Sequence, residues 1–333
     1  MGAFFGSFIG NFILDKIGRR RSIILIALPQ ITCFLSIILS YQVMELLYVG
    51  RFLGGLGEGM VSTITLLYVA EIAEPSIRGT LAVMTTIAWY SGVLFANIIG
   101  SYLSIRTTAS IAIAIPILFV VLSWKIPESP YYHLMKKDEE KAERVLKFLR
   151  RKTNVSEELT KLKADVERQM SETGTFRDIF AIDSNKRAFL VTVVARFFQL
   201  CTGVAAMNFY LQILLKEATQ SIAPQIGASI VLLIQLVMTV ISVFIIDRWG
   251  RRPLLLFSII GCFIDLVFQM IFFIFKEHTT IDTSVADWFP LMMMLVLIFL
   301  YSIGLGSVVS VLTSEIFSAS IKAKLICLVN GSY

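Results

Sequence analysis

Apolar stretches recur along the chain at about 2–14, 23–41, 47–70, 80–103, 109–124, 188–213, 226–246, 254–275 and 289–312, and a further one opens near Leu325. Most come close to the roughly 20 residues that cross a bilayer as a helix. Strands of a membrane barrel would run to about ten residues and alternate, and these stretches do neither. The pattern therefore predicts a series of spanning helices. The first stretch has no basic residues ahead of it and ends in DKIGRRR, not in a small-residue cleavage site. It reads as a spanning helix short of its first residues, not as a signal peptide.

Polar residues gather in the short intervals between these stretches and in one long segment, residues 125–187. That segment opens with two prolines in PESPYY and then turns helical. Ala142, Val145, Leu146 and Leu149 recur at helical spacing among charges, as do Leu159, Leu162 and Val166. These are amphipathic helices lying against something else. Acids and bases interleave along the segment with no aromatic platform among them, which argues against nucleic acid as a partner. The expected organisation is an N-terminal bundle over 1–124, a cytoplasmic amphipathic linker over 125–187 and a C-terminal bundle over 188–333.

Composition agrees with lipid as the solvent. The chain is 56% hydrophobic and 16% charged, with mean hydropathy +0.77, whereas a soluble domain carries about 25% charged residues. Its net charge of +6 is unevenly placed. Of 30 Lys and Arg, 25 fall in residues 15–22, 71–79, 125–187, 247–253 and 313–324, which lie on one side if each apolar stretch crosses once. Basic residues mark the cytoplasmic side, and the short loops alone give the same answer as the long one. The lipid bilayer is thus the first partner, and a multi-pass protein, placed at the plasma membrane, the expectation. Cys33, Cys201, Cys262 and Cys327 all sit in apolar stretches and read as small buried hydrophobes. Two histidines, His133 and His278, are too few and too separated for a metal centre or a catalytic triad. No enzyme chemistry, metal or cofactor is implied.

Two words are written twice. DKIGRR at 15–20 returns as DRWGRR at 247–252, 232 residues on, and EIAEPSIR at 71–78 returns as EIFSASIK at 315–322, 244 residues on. Same order and similar spacing indicate two copies of one membrane unit in parallel orientation. Gly18 and Gly250 permit a tight turn between helices. Asp15 and Asp247 need a basic or helix-end partner at the bilayer boundary. Glu71 and Glu315 are candidate carboxylate partners for Arg19, Arg20, Arg251 and Arg252. With Arg51 and Arg78, these residues form a candidate cytoplasmic latch that opens during turnover; static anchoring turns are the plainer alternative. Glu58 admits a proton relay or a structural pair. In GRFLGGLGEG, Gly50 with Gly54 and Gly55 with Gly59 form small-xxx-small pairs that permit close helix contact.

Polar residues in helix middles are where a ligand is sought. Thr85 and Thr86, Gln199, Thr202 and Asn208, and Gln235 and Thr239 supply amides and hydroxyls with hardly any deep charge, which suits a neutral polyhydroxylated solute. Trp89, Phe197, Phe198, Phe209 and Tyr210 could stack on a sugar face. Gln199, Gln235, Thr86, Asn208 and Tyr210 are the candidate binding set; for each amide or hydroxyl the alternative is a helix–helix hydrogen bond.

DKIGRR, the Gly50–Arg51 pair, YVAEIAEPSIRG at 68–79, PESPYY at 127–132, DRWGRR and the Glu-Ile-Phe at 315–317 together resemble the sugar porters of the major facilitator superfamily, and within them the insect facilitated trehalose transporters. The resemblance implies an all-α membrane protein with the major facilitator fold, two parallel-repeat helical bundles cycling by alternating access, and a small neutral sugar as substrate. It also implies that this chain is incomplete at both ends, with about nine full helices and the start of a tenth. Gln199 and Gly203 match the family's QQxxGxN word, while Leu200 and Ala205 depart from it. Gln235 replaces an asparagine, Thr86 a glutamine, Leu66 a proline, and Ser307 to Ser310 stand where prolines and a tryptophan are usual. Facilitated transport of a hexose or trehalose is the leading expectation; proton-coupled symport and a non-transporting sensor or inactive fragment are the alternatives.

Overall fold

A computed structural model describes residues 1–74, 77–171, 183–218, 222–278 and 288–309. All regular structure among the described residues is helical. Seven helices or helix pairs there are long and apolar enough to cross a membrane, and a shorter apolar helix covers Gly2–Leu14.

The described residues form two compact units. The first lies within Met1–Ala82 and Leu103–Phe189, the second within Val83–Tyr102 and Leu190–Ile316. In the first unit α1 (Gly2–Ile17), α2 (Arg19–Leu39) and α3 (Glu45–Ile72) pack on one another. Leu14, Ile23, Ile26, Met60, Ile64 and Tyr68 form their core. The glycine pairs of α3 face two different neighbours. A Cβ on Gly50 or Gly54 would press on Cys33 of α2, whereas one on Gly59 would strike the backbone of Ala3 in α1. Gly2 and Gly6 return the approach against Phe52 and Leu56 of α3. Side chains this small let two backbones meet, so dispersion replaces the hydrophobic drive that lipid does not supply.

The stretch at 109–124 is expected as one helix and is found as two, α5 (Ile105–Ala112) and α6 (Ala114–Ser123). Pro116 is the cause: its ring clashes with the carbonyl four residues back, at Ala112, where α5 ends. Short helices α7 (Pro130–Met135), α8 (Glu139–Arg150) and α9 (Ser156–Ser171) follow. Their apolar stripes meet as the periodicity predicts, with Leu134, Ala142 and Val166 buried together and Leu159 and Leu162 against them. Asp138 caps α8, accepting from the Lys141 backbone N–H at 3.2 Å.

The second unit contains most of α4 (Arg78–Tyr102) and of α10 (Asp183–Cys201), with α11 (Val204–Ala218), α12 (Pro224–Trp249), α13 (Arg251–His278) and α14 (Phe289–Tyr301). The stretch at 188–213 breaks at Gly203, whose φ of +69° turns α10 into α11. Beyond Tyr301 the helix loosens into a π turn over Ser302–Gly306. The core gathers Met207 and Leu211 of α11, Val231 and Leu232 of α12, Cys262 of α13, and Leu297 and Ile298 of α14. Cys33 and Cys262 are buried as expected, whereas Cys201 is exposed at the end of α10; Cys327 lies outside the described residues.

The repeated hexapeptide is a repeated backbone. Gly18 joins α1 to α2 at φ 94°, ψ 165°, and Gly250 joins α12 to α13 at φ 81°, ψ 164°. This region of backbone space is open essentially to glycine alone.

Candidate functional site

At the first of these junctions polar groups converge on Arg19. Gly18 reverses the chain so that Arg19 opens α2 with its side chain turned inward, 4% exposed. Its Nε donates to both oxygens of Glu71 at 3.1 and 3.0 Å, and Nη2 donates to Oε1 at 2.8 Å. Glu71 closes α3, so the pair ties the start of one helix to the end of another. The flat face of Tyr132 in α7 lies 5.3 Å from the guanidinium carbon.

Glu128, just before α7, completes the cluster. It accepts from the backbone N–H groups of Arg19 (2.8 Å), Arg20 (3.1 Å) and Ser129 (3.0 Å). The first two are among the unpaired donors that every helix start presents, at the positive end of the α2 dipole, while Ser129 precedes the start of α7. A Cβ on Gly18 would stand 2.7 Å from Glu128 Oε2, so the glycine also makes room for the cap. Tyr68 donates from its hydroxyl to the Pro127 carbonyl at 2.8 Å. Arg150, bound to Glu158, donates to the Ile72 carbonyl at the end of α3, at 2.9 Å. Helices α7–α9 are thus fastened to the membrane helices of the first unit at three polar points. Glu128 and Arg150 were not singled out from the sequence; an acid one residue before a Ser-Pro helix start was the available signal for Glu128.

Arg20 and Arg78 share the charged words, but only Arg20 can be placed. Its Nη2 donates to the Trp124 carbonyl at 2.6 Å. The side chains of Asp15, Arg78 and Asp247, and all of Glu315, lie outside the described residues. Arg251 is half-buried and Arg252 exposed at the start of α13. Arg51 does not belong with this group. It sits near the opposite end of α3 from Glu71, about 30 Å away at the rise of an α-helix. Being six residues into a helix that ends at the junction, it cannot reach Arg19's partners; it is exposed, as is Glu58.

The candidate ligand residues all lie in the second unit, in different settings. Gln199 is 4% exposed and committed to protein partners: Nε2 donates to the Tyr301 hydroxyl (3.0 Å) and the Leu305 carbonyl in the π turn (3.1 Å), and Oε1 accepts from Arg196 (2.9 Å). Gln235, in mid-α12, is fully buried, and neither atom of its amide has a hydrogen-bond partner among the described residues. Thr239, one turn on, donates to the Gln235 backbone carbonyl, not to its side chain. Asn208 is half-buried, its Oδ1 without a hydrogen-bond partner among the described residues, and Thr86 is half-buried on α4. Tyr210 is 59% exposed and Phe209 85%, with Trp89, Phe197 and Phe198 also on exposed helix faces. The hydroxyl and amide residues thus divide into some that bind helices together and one buried amide that does not.

Two further polar features were not foreseen. Gln212 of α11 donates to Asn97 Oδ1 (2.9 Å) and Ser101 Oγ (2.7 Å) of α4, and Asn97 donates to Ser229 Oγ of α12 (3.3 Å). Asp265 of α13 is 4% exposed and accepts from Gln269 at 2.6 Å, so one deep acid is present after all.

A family model described as "Sugar (and other) transporter" matches residues 1–332. The chain belongs to the sugar transporter family. Among members of that family, the facilitated trehalose transporter Tret1 of Apis mellifera ligustica is 32% identical over 326 residues, covering 97% of this chain and 64% of that protein. Tret1 of Drosophila willistoni is 30% identical over 321 residues, covering 95% of this chain and 36% of that protein. The chain therefore spans less than two thirds of these sugar transporters' length. Among solved structures, the major facilitator superfamily proton:xylose symporter XylE, bound to 6-bromo-6-deoxy-D-glucose, superposes with a TM-score of 0.81 at 21% identity, covering 99% of this chain and 73% of that one. An inward open conformation of XylE from E. coli gives 0.75 at 20% identity. The fold is that of the major facilitator superfamily, and this member of the sugar transporter family is a multi-pass membrane protein.

Proposed function

We propose that the protein carries a neutral sugar, a hexose or trehalose, across the plasma membrane by facilitated alternating access, with no chemical change to the solute. Residues 125–187 lie in the cytoplasm, between bundles drawn from 1–124 and 188–333. Arg19, Arg20 and Glu71, with Arg251 and Arg252 at the second junction, act as a cytoplasmic latch. Family membership and the names of the Tret1 and XylE relatives support a transported sugar. The observation that carries the binding site is Gln235, whose fully buried amide lacks a hydrogen-bond partner among the described residues. Leaving such a group unpaired costs about 1–3 kcal/mol, and a sugar hydroxyl recovers it.

Gln235→Ala is therefore expected to weaken sugar binding by about tenfold while leaving the protein folded. Gln199→Ala loses three hydrogen bonds within the protein and is expected to lower stability first. Calorimetric binding of glucose and trehalose to the full-length protein, alongside counterflow of the labelled sugars in liposomes, tests both. Equal binding by wild type and Gln235→Ala would remove Gln235 from the site. No binding of either sugar by wild type would favour a sensor or non-transporting role, consistent with the departures at Leu200, Ala205 and Ser307.

A further inference from the structure

Beside the Arg19 cluster, and sharing Arg20, Glu128 and Tyr132 with it, a cavity of about 460 Å³ opens along Ile17, Arg21, Ile24, Trp124 and His133. Its position is set by three helix ends. Apolar α1 stops at Ile17, α2 begins at Arg19, and α6 stops at Ser123 with Trp124 following. Two of these helices belong to membrane-spanning segments that begin or end here, so the cavity lies at the depth where hydrocarbon gives way to headgroups. Tyr132 and His133 of α7 cover its polar side.

The lining is divided by chemistry. Ile17, Ile24 and the indole of Trp124, 67% exposed, offer an apolar and aromatic wall of the kind found at the bilayer interface. Arg21 is exposed and has no hydrogen-bond or ion-pair partner among the described residues. Arg20 spends one N–H on the Trp124 carbonyl and keeps the rest of its fork. Glu128, the one acid on the lining, has both oxygens turned to the backbone N–H groups that open α2. Its charge is answered by that helix start and opposes an anion in the cavity less than a free carboxylate would. A guanidinium with no partner among the described residues and a second one on the same cavity, with an imidazole also on its lining, make a donor set suited to a phosphate.

We propose that this cavity binds the phosphodiester headgroup of an anionic phospholipid, with Arg21 and Arg20 on the phosphate and the acyl chains leaving along Ile17 and Ile24. A soluble phosphate would satisfy the guanidinium groups equally but would leave the apolar wall and Trp124 without a role, so lipid is the source assigned. Occupancy would brace the helix ends to which α7 is fastened.

Native mass spectrometry of the full-length protein from detergent tests this, with separate titrations of dioleoyl phosphatidylglycerol, dioleoyl phosphatidylcholine and glycerol 1-phosphate. One phosphatidylglycerol is expected to bind about tenfold or more tighter than phosphatidylcholine. Arg21→Gln should erase that preference, and Lys161→Gln, an exposed cation outside the cavity, should keep it. Equal affinity for the two lipids, or an unchanged preference in Arg21→Gln, would overturn the proposal. Glycerol 1-phosphate binding as tightly as phosphatidylglycerol would overturn the lipid assignment and leave a soluble phosphate site. Should Arg21→Gln fail to fold, His133→Ala, also on the lining, carries the same expectation and the same refutation.

Discussion

Glu71→Gln isolates the charge that Arg19 answers while changing little in shape. Arg19 is 4% exposed and Glu71 12%, and three N–H···O contacts between 2.8 and 3.1 Å join them. Taking two charges out of water is costly, and their attraction repays it only while both are present. The amide keeps one acceptor but no charge, so the guanidinium stays buried beside a neutral partner. Breaking a buried pair in this way costs about 3–5 kcal/mol, whereas an exposed pair contributes little. Glu140 and Arg144, 86% and 72% exposed at 3.2 Å, provide that exposed comparison. Replacing both partners by apolar residues, Arg19→Met with Glu71→Leu, should restore most of the loss, since neither charge then remains buried. Reversible unfolding in mixed micelles by added sodium dodecyl sulfate gives the free energies of wild type, of Glu71→Gln, and of the double variant with its two single ones, Arg19→Met and Glu71→Leu. A loss below about 1 kcal/mol for Glu71→Gln, or a double variant as unstable as either single one, would refute the argument. The Arg19–Glu71 bond would then be an adaptable boundary contact and no fastening.

Gly59→Val should uncouple α1 from α3, because the new side chain meets Ala3 backbone atoms that cannot yield; overpacking of this kind costs about 1–3 kcal/mol or more, read as lower yield of monodisperse protein and faster proteolysis of α1. Gly250→Ala should cost about 1–3 kcal/mol through backbone strain alone, and Gly18→Ala should cost more because its Cβ also meets Glu128; equal thermal shifts for the two would deny the Glu128 contact. The pair α8–α9 should loosen at both extremes of pH. The Lys141 ammonium and backbone N–H hold the Asp138 carboxyl below its ordinary range, so that contribution is complete above the ordinary aspartate pKa and is lost as pH falls through the lowered one. The Glu139 carboxylate raises the Lys163 ammonium, so its contribution is complete below the ordinary lysine pKa and is lost as pH rises through the raised one. Limited proteolysis within 139–171 across pH reads both edges, and a rate flat in acid would remove the Asp138 cap.

In lipid the two solvents of a helix, core and bilayer, are equally apolar. Hydrophobic runs therefore reveal where spans begin and end without saying which face is buried. Met207 and Phe209 are neighbours of similar hydropathy, yet one is 7% exposed and the other 85%. The amphipathic stripes of α8 and α9 carried more information because their opposite faces are charged, and Ala142, Leu146 and Val166 are buried where the period placed them. Neither the break at Pro116 nor the turn at Gly203 was foreseen: Pro29 sits inside the unbroken α2, and a lone glycine in an apolar run is as easily helical.

Polar groups show the same limit in sharper form. Gln199 and Gln235 are the same residue type, both in spanning helices and both 4% exposed or less. One is bound on both amide atoms by α10, α14 and the π turn; the other is bound by nothing described. What separates them is long-range: Tyr301 and Leu305 stand more than 100 residues from Gln199 in the chain. The charged words behave oppositely, because their requirement is local. A glycine-only backbone at φ 94° and again at φ 81° needs no distant partner to explain it, so the repeat of the letters was already a repeat of the turn. The partner differs all the same: Glu128 closes in on Gly18, while a Cβ on Gly250 meets nothing within 4 Å. Duplication thus preserved the backbone of both junctions, and the segment after α6 gave one of them its cap.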